Sequence, residues 1–187
     1  RHDYSITNTP KNASGTSLAN TIYFNADLFG LANQHVLANQ VRDIILFRLY
    51  FKAENLAQTN DTAFLNVIVS HLKVGQSGSD PATRTQEVTT AVNTMISLYP
   101  AGNYLWMGDF NIYNSNEGAF QMIVNPPASA YDFEDPVNKI GSWNNNSNYK
   151  SVHTQSTHTS SNGCASGGGL DDRFDMILVS KDVLNGN

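Results

Sequence analysis

Charged residues are scarce in this chain of 187 residues, in which Asp, Glu, Lys and Arg together make up only 14%. The formal net charge is -5, and the few Lys and Arg residues do not cluster. Tight, sequence-neutral binding of DNA or RNA requires a basic surface that contacts many phosphates. The composition therefore argues against that binding mode. Any phosphate group must be handled at a local site, with a metal ion to offset its charge.

Cysteine is almost absent, and long apolar runs are missing. Cys164 is the single cysteine, so an internal disulfide is impossible. Nothing indicates a histidine base beside it, and we interpret it as a polar-loop residue rather than a nucleophile. No apolar run is long enough to span a membrane, and no signal peptide is present. The sequence starts at Arg1 rather than Met, which suits a mature product, a trimmed form or a fragment.

The rest of the composition is that of a folded domain with a polar, loop-rich surface. Hydrophobic residues make up 40% and aromatic residues 10%, which is enough for a sizeable core at this length. We predict a single domain over residues 1–187. Residues 1–20 are rich in Asn, Ser, Thr and Gly and are predicted to be a loop or a flexible end. Residues 128–169 are predicted to be mostly loop, and a loop of that length often carries function.

Two hydrophobic periods predict a mixture of helices and strands. Helical spacing predicts a helix over 81–99 and a second over 116–124, whose buried face is formed by Ala119, Phe120 and Ile123. Short apolar runs bounded by turn residues predict strands. These strands cover 21–29 and 36–41, on either side of a hairpin-like turn at 30–34, and then 43–51, 64–70, the start of 103–111, and 173–180. Residues 53–62 are predicted to be a polar connection.

The stretch 103–111 organises the chain, because its apolar run ends abruptly in Gly108-Asp109-Phe110-Asn111. In an extended backbone Asp109 and Asn111 point the same way. A carboxylate beside a carboxamide at the carboxyl end of a strand is a plausible place for polar chemistry. The same residue types are also ordinary turn formers. From these four residues alone, a turn and a functional site remain equally open.

Two other apolar runs carry a polar group. His71 follows the run that ends at Val69, and Asp175 interrupts the last strand. A buried carboxylate is rare unless it is paired or binds a metal; the alternative for Asp175 is an ion pair with Arg173 or Arg42. Together with Asp109, these positions predict an acidic pocket containing a histidine, which can hold a hard divalent cation.

Other polar residues are interpreted as structural. His153 and His158 have no spacing that suits a metal pair, and we place both in a loop. The glycines at 167–169 lack the strand–helix context of a phosphate-binding loop. Asp171 and Asp172 are predicted to be solvated.

Four segments, in their order along the chain, resemble the endonuclease/exonuclease/phosphatase superfamily, whose members include deoxyribonuclease I-like enzymes. The similarity covers about residues 20–182 and is greatest to the secreted bacterial members, which implies a secreted or periplasmic protein. The segments are Val69-Ser70-His71-Leu72-Lys73, Arg84 with Glu87 on a helix, Met107-Gly108-Asp109-Phe110-Asn111, and Arg173-Phe174-Asp175-Met176-Ile177-Leu178-Val179-Ser180.

The resemblance implies a four-layer α/β/β/α sandwich and hydrolysis of a phosphoester by in-line attack of water, with Mg²⁺ (or Mn²⁺ or Ca²⁺) as cofactor. By this resemblance His71 contacts the scissile phosphate, Asp109 orients or deprotonates the water, and Asn111 holds the water or a phosphate oxygen. Asp175 orients the family's last histidine. Asp109 and Asn111 are also the implied metal ligands. The substrate is a phosphoester, with DNA or RNA among the candidates.

Two features of the family are missing from this sequence. The early Asn and the metal-binding Glu of the family have no counterpart near residues 1–31, and Glu54 comes too late in the order. The family's final Ser-Asp-His is also missing. The resemblance therefore implies a domain incomplete at both ends, which binds Mg²⁺ weakly or not at all and can be inactive by itself.

Two other functions stay open. One is a catalytically inactive relative that acts as a binding module. The other is a lipid phosphodiesterase, which needs an exposed apolar docking loop, whereas 128–169 is mostly Asn and Ser around Trp143 and Tyr149.

Overall fold

The computed structural model describes residues 3–7, 18–59, 62–161, 163 and 167–186. These residues form a small sheet and a large one. The small antiparallel sheet pairs β1 (Tyr4–Ile6) with β2 (Tyr23–Asn25). The large sheet has the strand order β3-β4-β5-β6-β8-β7. Its strands are β3 (Phe29–Ala38), β4 (Ile44–Phe51), β5 (Phe64–His71), β6 (Tyr104–Asp109), β7 (Phe133–Glu134) and β8 (Asp175–Ser180).

Two helices, α2 (Asp80–Leu98) and α3 (Gly118–Val124), pack on one face of the large sheet and build the main core there. The α-helices are α1 (Leu56–Thr59), α2 (Asp80–Leu98), α3 (Gly118–Val124) and α4 (Lys181–Asn185), and 3₁₀ turns span Ser129–Tyr131 and Ser147–Val152. The apolar face of α2 buries Val88, Val92 and Met95 against the sheet, and Pro81 lies in its first turn, where no backbone N–H is needed. The predicted helix 81–99 and the predicted buried face of α3 are both confirmed.

The opposite face of the large sheet carries a second, smaller core. Phe24 on β2 and Ile22 just before it cover Phe47 and Val67 on this face. Ile177 on β8 is not covered by them and is 54% exposed. The described residues thus supply a helical layer, a six-stranded sheet and a two-stranded sheet. The mixed α/β fold class predicted from the sequence is confirmed. Within the described part of the chain, no helix is both long and apolar enough to cross a membrane.

The predicted turn at 30–34 is wrong, because β3 runs without interruption through it. Gly30 lies against the ring of Tyr50, and a Cβ at this position would collide with the ring atoms. Of the polar residues that suggested a turn, Asn33 is exposed on this edge strand and Gln34 is half-buried, and register shifts near Leu31 and Val36 mark bulges. The chain instead turns at 26–28, before β3.

Two further predictions need correction. Residues 4–6 form β1 rather than loop, although most of 1–20 lies outside the described residues, as does Cys164. The connection 53–62 contains the short helix α1. The described residues of 128–169 are mostly irregular, as predicted, and buried contacts fix this loop to the domain: the Trp143 indole donates a 2.8 Å hydrogen bond to the Ile112 carbonyl.

Candidate active site

Three adjacent strands of the large sheet bring three predicted site residues to one edge. In the parallel pair β5–β6, His71 lies opposite Asp109. In the antiparallel pair β6–β8, Asp109 lies opposite Asp175. The first two residues end their strands and Asp175 begins its own, so all three side chains lie where the backbone leaves the sheet. Register alone therefore places them beside one another, although they are far apart in sequence.

His71 and Asp109 form the central contact of this cluster. His71 Nε2 lies 3.4 Å from Asp109 Oδ2, and each side chain is about one-third exposed, at 33%. Burial lowers the pKa of His71, and the nearby Arg42 guanidinium lowers it further. Burial raises the pKa of Asp109 despite the nearby imidazole. Desolvation outweighs attraction at this pair, which favours a neutral imidazole beside the carboxylate at neutral pH.

Asn111 shapes the turn that follows Asp109. Its backbone has a φ of 49°, and its N–H donates to Asp109 Oδ1 at 3.0 Å. Its side chain is buried, and Nδ2 donates to the Leu72 carbonyl at 3.0 Å. The prediction that Asp109 and Asn111 point the same way from an extended backbone is therefore wrong. A turn capped by the Asp109 side chain forms instead, and it leaves Oδ2 facing His71.

Gly108 allows β6 to approach β5 closely before this turn. Its φ is +133°, and a Cβ at this position would collide with the Ser70 carbonyl oxygen. Ser70 is itself fixed, because its hydroxyl accepts a 3.1 Å hydrogen bond from the Trp106 indole. The glycine of the motif is thus a packing requirement of the strand pair that carries His71 and Asp109.

The sequence predicts that Asp175 lies inside a buried strand, and this prediction is wrong. Asp175 is the first residue of β8, and it is exposed. The ion pair proposed for it with Arg173 is also not formed, because Arg173 is bound bidentately by Asp135 at 2.7 and 2.8 Å. Thr154 fixes this strand start, since its hydroxyl accepts from the N–H groups of Phe174 and Asp175 at 3.1 and 2.9 Å.

Buried charges on α2 hold the segment that follows His71. Arg84 is fully buried and donates to the carbonyls of Lys73 and Gly75 at 2.7 and 2.6 Å. Its remaining N–H groups bind both carboxylate oxygens of Glu117. Glu87 accepts a 3.1 Å hydrogen bond from the Lys73 N–H, and burial raises its pKa. The pair Arg84 and Glu87, singled out by the resemblance, therefore has a positioning role in this structure.

Asp172 is buried rather than solvated, which corrects another prediction. It is 3% exposed, and its Oδ2 accepts a 2.7 Å hydrogen bond from the Asn144 amide. Its Oδ1 has no hydrogen-bond partner among the described residues. Burial raises the pKa of Asp172 to about 6. His153 lies in the neighbouring loop, and its two ring nitrogens face the carbonyls of Leu170 and Trp143 at 2.9 and 3.0 Å.

A divalent cation would find only a small set of ligands at this edge. No cluster of three or more His, Cys, Asp or Glu residues able to hold a metal occurs in the described part of the chain. Asp109 and Asp175 do lie side by side, and the charge of Asp175 contributes to the raised pKa of Asp109. Mg²⁺ keeps several waters and is bound through one or two carboxylates plus substrate phosphate, so this pair fits such an ion. Asn111 commits its amide nitrogen to Leu72, which leaves only its oxygen for a ligand.

The fold of this chain is similar to that of several solved structures. No protein-family model and no curated protein sequence matches the chain. Solved structures do match: a protein of the endonuclease/exonuclease/phosphatase family from Bacteroides vulgatus has a TM-score of 0.57 at 13% identity, over 95% of this chain and 65% of that one. Truncated Caenorhabditis elegans TDP2 has a TM-score of 0.56 at 17% identity, over 95% and 61%. The mannosyl-6-phosphatase Bt3783 of Bacteroides thetaiotaomicron has a TM-score of 0.53 at 13% identity, over 95% and 63%.

These matches show that the chain shares the fold of these solved structures, one of which is an endonuclease/exonuclease/phosphatase family protein, and this is the fold that the sequence resemblance implied. The chain spans about 61–65% of the length of these three solved structures.

Proposed function

We propose that this chain carries the phosphate-reacting centre of a phosphoester hydrolase. The observation that supports the proposal is the contact between His71 and Asp109 at one edge of the large sheet, where Asp175 lies beside Asp109. The fold alone hosts several activities. Two of the similar structures carry names that refer to phosphoester hydrolysis. One is a mannosyl-6-phosphatase, and the other is an endonuclease/exonuclease/phosphatase family protein. Hydrolysis of a phosphate ester is the reaction that agrees with both the residues of the site and the fold.

In the proposed reaction, Asp109 is the group that orients water and accepts its proton. Its Oδ1 is held by the Asn111 N–H, so the carboxylate is fixed in the turn while Oδ2 faces His71 at the reacting centre. Neutral His71 donates an N–H toward a phosphate oxygen and stabilises the charge that develops there. A bound Mg²⁺, with Asp109 and Asp175 as its protein ligands, would supply Lewis acidity and offset the negative charge of the phosphate.

The substrate class follows from charge. The net charge is -5, so long-range attraction of a polyanion is weak, and recognition has to come from contacts close to the reacting phosphate. Short oligonucleotides, nucleotides and small sugar phosphates fit this condition better than long duplex DNA. A binding module without turnover is the second candidate, favoured by the small number of carboxylates at the described part of the site.

Turnover of a simple substrate tests the proposal. The purified protein should hydrolyse bis-p-nitrophenyl phosphate in the presence of Mg²⁺ or Mn²⁺, and addition of EDTA should abolish the activity. Short single-stranded DNA and a sugar phosphate should be assayed in parallel to rank the substrate classes. If no substrate is cleaved with any divalent ion while the protein still binds phosphate esters, the binding-module function replaces the hydrolase.

A further inference from the structure

A small cavity adjoins the candidate active site. It has a volume of about 200 Å³ and is formed where four segments meet: the loop after β5, the first turns of α2, the chain after the turn at Asn111, and the long loop 128–169. Tyr113 connects the cavity to the site, because its ring packs edge-on against Phe174 with centroids 5.0 Å apart, and Phe174 directly precedes Asp175. Residues that line the cavity are Gln76, Arg84, Tyr113, Asn114, Ser142 and Asn144, together with Pro81 and Glu117.

The two charged residues in the wall of this cavity neutralise each other. Arg84 and Glu117 form a buried, bidentate ion pair, and the other donors of Arg84 are directed at the carbonyls of Lys73 and Gly75. The described wall therefore offers neither a free cation for a phosphate nor a free carboxylate for a metal ion. The wall therefore favours a ligand without net charge.

The other polar groups of the wall both donate and accept hydrogen bonds, since they are carboxamides and hydroxyls. Several are already fixed in place. The amide of Asn144 is held at 2.7 Å by buried Asp172, and the Asn114 side chain accepts from the Asn116 N–H at 2.9 Å. The backbone of Asn114 also pairs with that of Ser142. The fixed amides of Asn114 and Asn144 give this part of the wall uncharged groups that are already oriented for hydrogen bonds to a ligand.

We propose that this cavity is a subsite for a neutral ring rich in hydrogen-bonding groups, a sugar or a nucleobase, attached to the phosphate that reacts at His71 and Asp109. The assignment rests on the proposed hydrolase function. At about 200 Å³ the cavity is smaller than pockets for drug-sized ligands, which measure about 300–1,000 Å³, so it suits a single ring. The aromatic ring of Tyr113 provides an apolar wall beside the amides.

Binding of phosphate-free rings tests the subsite directly. Saturation-transfer NMR would measure 9-methyladenine and 1-methylcytosine as bases without a sugar, and methyl ribofuranoside and methyl mannopyranoside as sugars without a base. We expect saturable, millimolar binding in one of these two arms, and the arm that binds identifies the ring. Removal of one hydrogen-bonding group in Gln76→Ala or Tyr113→Phe should raise Kd roughly two- to ten-fold. Gln86→Ala, an exposed carboxamide on α2 away from the cavity, is the matched control and should leave Kd unchanged.

Gln76 is exposed, and Phe retains the ring of Tyr113 while losing the hydrogen bond between its hydroxyl and the Gly75 backbone. An NMR fingerprint spectrum checks that both variants keep the fold. Binding in neither arm, or binding that both variants leave unchanged, would overturn the subsite. The test requires no turnover, so its result is independent of the hydrolase assay. Hydrolysis without ring binding contradicts only the subsite, and ring binding without hydrolysis contradicts only the proposed reaction.

Discussion

The buried carboxylate of Asp172 gives the most quantitative test of the structure. Burial, with a smaller contribution from the charge of Asp171, raises the pKa of Asp172 from 3.8 to about 6. A tenfold change in an equilibrium constant corresponds to about 1.4 kcal/mol, so a pKa of about 6 in place of 3.8 is equivalent to about 3 kcal/mol of unfavourable free energy when the group is ionised in the folded protein. The hydrogen bond from Asn144 is already included in this balance. The change to make is Asp172→Asn, which keeps the shape and removes the ionisation.

The sign of the effect follows from linkage. Because the folded-state pKa is raised, the protonated carboxyl favours the folded state, and this contribution is complete below about pH 4. It is lost as pH rises through about 6, where the folded protein must hold an ion in a buried place. The carboxamide introduced by Asp172→Asn does not titrate. The free energy of unfolding of this variant minus that of the wild type should therefore rise by about 3 kcal/mol between about pH 3.5 and about pH 7.

Urea denaturation of both proteins at several pH values in this range measures that difference. Taking the difference cancels the titration of all other groups, and it does not require the variant to be more stable at any single pH. Asp182→Asn, a change of the same type on α4, is the control and should not show this rise. A flat difference for Asp172→Asn would show that the carboxylate ionises without penalty. A falling difference would show that it is stabilised as an ion.

Three further substitutions test the framework of the site. Arg84→Met should cost about 3–5 kcal/mol in urea denaturation, because Glu117 is left charged and buried, and adding Glu117→Leu should restore much of the loss. Gly108→Ala should cost about 2 kcal/mol or more, because a Cβ there meets a carbonyl of β5, whereas Gly78→Ala, where a Cβ meets nothing within 4 Å, should cost less by the same assay. Thr154→Val removes the acceptor of two backbone N–H groups and should speed amide hydrogen exchange at the start of β8, while Thr154→Ser should not.

The sequence correctly predicted those elements in which apolar residues recur at a regular helical or strand spacing. Helix α2 has 19 residues with a regular apolar stripe, so its local pattern and its packing agree. Strand β3 is different, because its polar residues are tolerated only on an edge that the sequence does not reveal. Gly30 resembles a turn residue in the sequence, although it is required by the ring of Tyr50 on the next strand. Packing across strands outweighs local propensity at such positions.

The same distinction holds for the site. His71 and Asp109 could be placed at one edge because each ends an apolar run, and strand register makes them neighbours. The sequence predicts Asp175 inside its strand, whereas the structure makes it the first residue of β8, beside Asp109. The contacts of Thr154 and Asp172 could not be predicted, because they depend on the irregular loop 128–169, which has no periodic signal. One cue was present in the sequence: Asp172 directly precedes Arg173 and a buried strand, where a solvated carboxylate is less expected.

The most direct test of the central claim is the kinetics of Asp109→Asn. Asparagine preserves the turn, because its side-chain oxygen still accepts from the Asn111 N–H, but it cannot take a proton from water. If Asp109 is the general base, kcat for bis-p-nitrophenyl phosphate with Mg²⁺ should fall about 10²–10⁴-fold, with little change in melting temperature. An Asp109→Asn protein that folds normally and turns over this substrate at the wild-type rate would contradict the account.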